Sequence, residues 1–355
     1  MPSYWKIRHY ASADRERTID HLGALRRQLA KAVPGRTANA TLLLATWNLR
    51  DFDSNKFKHG PRLAEAFHYI AELISAFDLV ALQEIGENLG PFERLMDLLG
   101  PWWRYIATDV TEGPSGNGER MVFVYDSRKV QFQNIAGELV LPKSGLVEGE
   151  NQFARTPFLV RFQSGWFKFN LCTVHLYYGD ESGPGYQRRV AEIDAVAKAL
   201  KKRADEDGLN YILLGDMNVV SPTDDTMKAL KKHKFVLPVD LTLANDDIGW
   251  ASNIGGDKHY DQIAFLVRKD ELELGPSANN AGVFNYYESV YSDAEAELYH
   301  PLGKANGKWP DTAAARRTYY RKEWRTWQMS DHLPLFVELK IDFTDRYLKR
   351  MRGGS

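Results

Sequence analysis

Ser330-Asp331-His332-Leu333-Pro334-Leu335 places a carboxylate beside an imidazole at the mouth of an alternating apolar run, Leu333, Leu335, Val337 and Leu339. Such alternation marks a half-buried strand, so titratable groups stand in the loop that feeds it. Near pH 7 a neutral imidazole can take a proton from water, and the neighbouring carboxylate can hold a cation or a second proton. An adjacent Asp and His is more often a turn or a solvated loop, so partners elsewhere in the chain must decide what this pair means.

Working outward, other apolar runs also stop at polar residues. Thr41 to Trp47 ends in Asn48-Leu49-Arg50, and Leu79 to Leu82 ends in Gln83-Glu84. Between them Leu63, Ala66, Phe67, Ile70, Leu73 and Ile74 recur at helical spacing after Pro61, a favourable first-turn residue. Phe167 to Val174 ends in His175, and Val190 to Leu200 spaces a helix that leads to the strand Tyr211 to Leu214 and Gly215-Asp216-Met217-Asn218. Asp216 and Asn218, two apart in an extended segment, would point the same way, although both types are also turn formers. Glu119-Arg120 opens the strand Met121 to Tyr125, Arg155-Thr156-Pro157 precedes Phe158 to Phe162, and Asp261 stands at the entrance to Ile263 to Val267. Glu112 to Gly118 is glycine-rich and reads as mobile.

The composition bounds the partners. The chain has 355 residues, 44% hydrophobic and 26% charged, as an ordered globular protein has. Its formal net charge of −1 excludes a globally basic coat, so a polyanion must be met by a local patch or a bound cation. Cys172 is the only cysteine, which forbids an intrachain disulfide. With neither a signal-peptide core nor a bilayer-spanning run, the expectation is a cytoplasmic protein without membrane contact. An amphipathic helix from Glu16 to Val33, with Ile19, Leu22, Leu25, Leu29 and Val33 inward, reads as packing on its own domain. Between Val267 and Ser330, Arg316, Arg317, Arg321, Lys322 and Arg325 interleave with Tyr319, Tyr320, Trp324 and Trp327. That pattern suits phosphate contact plus base stacking, and equally a solvated helix whose aromatics pack inward. The domain reading is an extension over 1–40, a main domain over 41–342 with an insert at about 270–329, and a tail over 343–355.

Taken in order, Trp47-Asn48-Leu49-Arg50, Leu82-Gln83-Glu84-Ile85, Glu119-Arg120, Phe153-Ala154-Arg155-Thr156-Pro157, Thr173-Val174-His175, Gly215-Asp216-Met217-Asn218, Tyr260-Asp261-Gln262-Ile263 and Ser330-Asp331-His332-Leu333-Pro334 resemble the endonuclease/exonuclease/phosphatase superfamily. Within it they are most similar to the deoxyribonuclease I type, over roughly Leu42 to Leu339. The resemblance implies a four-layer α/β sandwich of two mostly antiparallel sheets with helices outside. It implies hydrolysis of a phosphodiester with Mg²⁺ or Mn²⁺ held by Glu84 with Asn48 and Asp331. His332, oriented by Asp261, would be general base; His175, paired with Glu119, would protonate the leaving group or stabilise the phosphoryl oxygens. Asp216 and Asn218 would position water and phosphate, and Arg50, Arg155 and Asn48 would meet the substrate.

Departures qualify the substrate. Arg50 stands where abasic-site endonucleases of the superfamily carry an acid, and Gly86 stands where the deoxyribonuclease I type has a groove-entering arginine. The leading expectation is a nuclease acting on DNA with little sequence preference and without a stable protein partner. The alternative is a phosphoesterase acting on phospholipid head groups, inositol phosphates or nucleotides, and the third is a noncatalytic binding module.

Overall fold

Leu42, Leu44, Leu79 and Ala81 face one hydrophobic layer, while Leu43, Ala45, Val80 and Leu82, their neighbours in sequence, face another. Strands buried on both faces read as unbroken apolar runs, which explains the continuous stretches at 41–47 and 79–82. The computed structural model describes residues 1–52, 55, 57, 59–111, 117–148, 151–238, 250–266, 272–304 and 309–352. Residues 112–116 of the glycine-rich segment, Val267, residues 270–271 and 305–308 of the insert and residues 353–355 of the tail lie outside them.

Two sheets pack face to face. The first has the order β10 (Ala281–Val283), β11 (Leu335–Lys340), β1 (Thr41–Phe52), β2 (Leu79–Gly86), β4 (Glu119–Asp126), β3 (Trp103–Ala107). The second runs β5 (Gln131–Glu138), β6 (Phe158–Ser164), β7 (Phe167–His175), β8 (Asn210–Asp216), β9 (Asp261–Leu266). Each sheet is antiparallel except for one parallel pair, β1 with β2 and β7 with β8. Phe123, Phe158, Phe162, Phe169, Ile212, Leu214, Val337 and Leu339 help fill the layer between the sheets. Helices α1 (Ser12–Ala32), α2 (Ala64–Ser75) and α3 (Gly90–Leu99) lie outside the first sheet, and α4 (Gly183–Asp207) and α5 (Asp225–Lys232) outside the second. The four-layer α/β sandwich expected from the resemblance is the fold.

The amino-terminal helix begins at Ser12, earlier than Glu16, and its stripe is narrower than expected because Ile19 is 54% exposed while Leu22, Leu25 and Leu29 are buried. The insert is helical along its basic aromatic stretch, the reading in which the aromatics pack inward. It holds α6 (Ala296–Lys304), α7 (Ala313–Tyr319) and α8 (Arg325–Gln328), with a π-helical turn over Tyr320–Trp324. Its inward side chains are aromatic, with Tyr286, Tyr291, Tyr299 and Tyr320 fully buried, so hydroxyl-bearing rings do the packing that a search for aliphatic spacing overlooks. Buried Glu65 ties three elements together, accepting from Arg17 Nη2 of α1 at 2.6 Å and from the Tyr299 hydroxyl of α6 at 2.7 Å. Among the described residues no helix is long and apolar enough to cross a membrane.

His68 of α2 is 1% exposed, lies against the rings of Tyr4 and Tyr10, and has a buried Nδ1 without a hydrogen-bond partner. Burial, followed by the charges of Arg94 and Lys6, pushes it down from 6.5 to about 4. A folded value below the unfolded one means that protonation favours the unfolded chain. Stability is intact above about 6.5 and is lost as the pH falls from there through about 4, by about 3 kcal/mol in all. Urea unfolding midpoints at pH 7 and pH 4.5 should therefore differ less in His68→Leu than in the native chain; an equal acid loss in both would refute this assignment.

Candidate active site

The period of the strands carries the apolar inter-sheet face directly into polar side chains. Leu42 and Leu44 are followed on that face by Thr46 and Asn48, Leu79 and Ala81 by Gln83, Phe169 and Leu171 by Thr173 and His175, and Ile212 and Leu214 by Asp216. In the antiparallel partners the same face runs backwards, from Met121 to Glu119 in β4 and from Ile263 to Asp261 in β9. Gln83 Nε2 donates to Thr46 Oγ1 at 3.1 Å and to Thr173 Oγ1 at 2.9 Å, closing the core with a hydrogen-bonded layer that joins the two sheets. The site stands on that layer. His175, Asp216 and Asp261 lie side by side in register across β7, β8 and β9. Gly215 permits the approach: its φ is +131°, and a Cβ there would lie 2.1 Å from the Val174 carbonyl oxygen.

Three residues leave the strand period. Glu84 has φ +61° at an irregularity in the pairing of β2 with β4, which turns its carboxylate back to the inter-sheet side. Its Oε1 accepts from Asn48 Nδ2 at 2.8 Å and its Oε2 from the Asp51 N–H at 2.6 Å. Arg50 and Asp51 are also left-handed, with φ +45° and +46°, and the Asn48 carboxamide oxygen accepts from the Arg50 N–H at 2.8 Å. Non-glycine residues in this region cost about 1 kcal/mol or more each and persist where surrounding contacts over-determine them; Arg62 supplies some, donating to the Leu49 and Arg50 carbonyls.

Two acid–imidazole pairs converge on one oxygen. His332 Nδ1 lies 2.7 Å from Asp261 Oδ2, and His175 Nδ1 lies 2.7 Å from Glu119 Oε1. Their Nε2 atoms stand 3.7 and 3.6 Å from Asp216 Oδ2, which also accepts from Asn48 Nδ2 at 3.0 Å. Burial pushes both imidazoles down. Glu119 outweighs it at His175, and Asp261 with Asp216 outweighs it at His332, leaving His175 above the ordinary value and His332 well above it. Burial pushes Asp216 up, and the two histidines outweigh it, so this carboxylate is held below its usual range.

Glu84, with 22% of its side chain exposed, sits at the open edge of this cluster. Burial raises its carboxyl, and the like charges of Glu119 and Asp331 oppose the pull of His175. Glu84, Glu119 and His175 each offer a donor atom within 4.8 Å of the others. Glu119 and His175 are spent on each other, and Glu119 also pairs with Arg155. Of these three, the Glu84 carboxylate at the open edge is an oxygen donor of the kind that a hard divalent cation takes.

Arg155, expected to reach the substrate, is buried against Glu119 and lies behind His175, where it braces the acid–imidazole pair. Asn218 does not continue the extended geometry beyond Asp216. Its φ is +53°, its Nδ2 donates to the Leu176 carbonyl at 2.9 Å, and its N–H donates to Asp216 Oδ1 at 3.0 Å, so it orients Asp216. Arg50 does reach the rim. Its Nε lies 3.6 Å from Asp331 Oδ2, its guanidinium carbon stands 4.0 Å from the Trp327 ring centroid, and it also contacts Thr326. Of the basic aromatic stretch, Tyr320, Trp324 and Arg325 are buried and Arg316 pairs with Glu297, while Arg317, Arg321 and Lys322 are exposed. Sequence reading missed Ser252, which accepts from the Asp261 N–H at 2.9 Å, and the role of Ser330. Ser330 Oγ donates to the Asn48 carbonyl at 2.7 Å and accepts from the His332 N–H at 3.0 Å, joining the two motifs. Its only sequence signal was its place in the quoted stretch.

Comparison with known proteins agrees with this fold. No curated protein sequence matches the chain. Among solved structures, the Bacteroides thetaiotaomicron mannosyl-6-phosphatase is 19% identical with TM-score 0.52, covering 84% of this chain and 99% of its own. The catalytic domain of human Nocturnin is 13% identical with TM-score 0.53, covering 84% and 94%. D. rerio TDP2 in complex with single-strand DNA product is 14% identical with TM-score 0.52, covering 84% and 98%. At these identities the likeness is one of fold. The model of the endonuclease/exonuclease/phosphatase family matches residues 45–257, more than half of the chain and the part that bears Asn48, Glu84, Glu119, His175 and Asp216, so the protein belongs to that family.

Proposed function

We propose that this phosphoesterase is a divalent-metal-dependent phosphodiesterase that cleaves DNA with little sequence preference. The observation that carries the reading is the convergence of two acid-backed imidazoles on Asp216 Oδ2, at 3.6 and 3.7 Å. Hydrolysis of a phosphodiester needs a proton taken from water on one side of phosphorus and one given to the leaving oxygen on the other. His332, with Nδ1 held by Asp261, takes the water proton at Nε2; His175, with Nδ1 held by Glu119, gives one from Nε2. Asp216, fixed by Asn48 and Asn218, holds both rings to a common target. Glu84, Asp331 and Asn48 would hold Mg²⁺ or Mn²⁺, which supplies positive charge against the phosphate oxygens. Arg50 on Trp327 offers a guanidinium at the rim for a neighbouring phosphate.

DNA is favoured by that cationic and aromatic rim and by the likeness to a TDP2 bound to single-strand DNA product. A second reading is favoured by the likeness to a mannosyl-6-phosphatase: the same residues could hydrolyse a small phosphoester such as a head group, an inositol phosphate or a nucleotide.

Supercoiled plasmid incubated with the protein and Mg²⁺ should be nicked and then degraded, with EDTA abolishing cleavage and His332→Ala lowering the rate by about 100-fold or more. Intact plasmid across Mg²⁺ and Mn²⁺, with phosphate released from small esters, selects the second reading.

The raised position of His332 adds a pH dependence. Its base form is reached only above the ordinary imidazole range, so kcat should climb with pH on the alkaline side of 6.5. Asp261→Asn removes a charge that raises His332, so the acid limb of the profile should move to lower pH while the plateau falls. An unmoved limb in a pH–rate series would separate His332 from the base role.

A further inference from the structure

The loop that follows His175 is braced by buried charge to a degree that the fold alone does not require. Arg189 of α4 is 0% exposed, and its guanidinium donates to the Tyr178 carbonyl and, at 3.2 Å, to the Asp180 carbonyl. Glu192, one turn on and also 0% exposed, accepts from the Tyr177 N–H at 3.0 Å and the Ala154 N–H at 2.9 Å. Arg188 lies over the Tyr177 ring at 4.4 Å. Taking an ion out of water is costly unless its geometry is well satisfied, and here both ions spend hydrogen bonds on the backbone of one short loop. Two glycines tighten it further: a Cβ on Gly179, at φ +61°, would lie 2.6 Å from the Gly185 Cα.

What this rigid loop presents is Tyr178, a residue that is 41% exposed. Tyr178 meets Tyr260 edge to face, with centroids 6.2 Å apart and planes at 87°. Tyr260 in turn lies against the His332 imidazole, with centroids 5.5 Å apart and planes tilted by 33°. Tyr260 is itself fixed, because its carbonyl accepts from the Met217 N–H at 2.9 Å. Lys258 Nζ reaches Glu181 Oε1 at 2.5 Å and so ties the segment that bears Tyr260 to the Tyr178 loop. A partly exposed aromatic pair, held rigid and in ring contact with a site histidine, is a ready stacking surface, since an aromatic side chain that loses no freedom on binding keeps the full value of the contact.

We propose that Tyr178 and Tyr260 form a subsite, beside the His332 imidazole, for the nucleobase attached to the reacting phosphate. This rests on the phosphodiesterase reading above and adds a base-binding element to it. The ring chemistry is shared by a free nucleotide and a nucleic acid, and neither base identity nor groove shape enters into it.

Calorimetric titration of the full chain compares adenosine 5′-monophosphate with ribose 5-phosphate, which share phosphate and sugar and differ in the base. The native protein should bind the nucleotide about fivefold or more tightly than the sugar phosphate. Tyr178→Ala should erase that excess without weakening ribose 5-phosphate, and Tyr178→Phe should keep it. Equal affinity for the two ligands in the native protein, no nucleotide binding, or an excess that survives in Tyr178→Ala overturns the subsite. An oligothymidylate pentamer bound more tightly than the mononucleotide identifies nucleic acid as the source of the base, and equal binding identifies a free nucleotide. Hydrolysis of bis(4-nitrophenyl) phosphate with Mg²⁺ is measured beside these titrations. Its absence overturns the phosphodiesterase reading, while the calorimetry still decides the subsite.

Discussion

One parallel strand pair in each sheet sets the plan of this molecule. β1 with β2 and β7 with β8 end at the same edge of the sandwich, so Asn48, Glu84, His175 and Asp216 arrive there from carboxyl ends. The antiparallel neighbours start at that edge and deliver Glu119 and Asp261 from amino ends. All of these side chains lie where the space between the sheets opens, above apolar side chains and one layer of hydrogen bonds through Gln83. A change in that strand order would scatter the groups over both ends of the sandwich.

Gathering so many ionisable groups in a poorly solvated place is costly, and the structure offsets the cost by leaving few of them alone. Each histidine has its own acid, Arg155 backs Glu119, and Asp216 lies between two imidazoles and an amide. Backbone conformation serves the same end. Left-handed Glu84, Arg50 and Asn218 turn polar groups that a regular strand would send elsewhere. The insert takes part too, because Tyr286 and Tyr287 hold the Ser330 carbonyl at 2.9 and 2.7 Å and Trp327 lies beneath Arg50. Elements far apart in sequence thus fix the loop that carries Asp331 and His332.

Much of the site was legible because strand period is written in residue type. An apolar run bounded by Asn, His or Asp announces a polar strand end, and this located Asn48, His175, Asp216 and Asp261. The resemblance then joined ends that no local pattern could pair, since hydrogen-bond partners and sheet order are not encoded in any one segment. Where the reading failed, it failed through local conformation. Asn218 was given a strand neighbour's direction, but a left-handed turn gave it another. Arg155 was assigned to the substrate because nothing in its neighbourhood signals the buried Glu119 that claims it. The insert left two readings open because the same kinds of aromatic residue that suit base stacking also fill its core.

In the proposed reaction His175 and His332, each paired with an acid at Nδ1, would address one phosphate from two sides. Nitrogen–proton correlation spectra of the imidazoles, recorded at neutral pH before and after adding inorganic phosphate, test it most directly. Both rings should carry an Nδ1-bound proton, and the Nε2 signals of both should move together as phosphate binds. Phosphate that moves one ring alone, or neither, would contradict it.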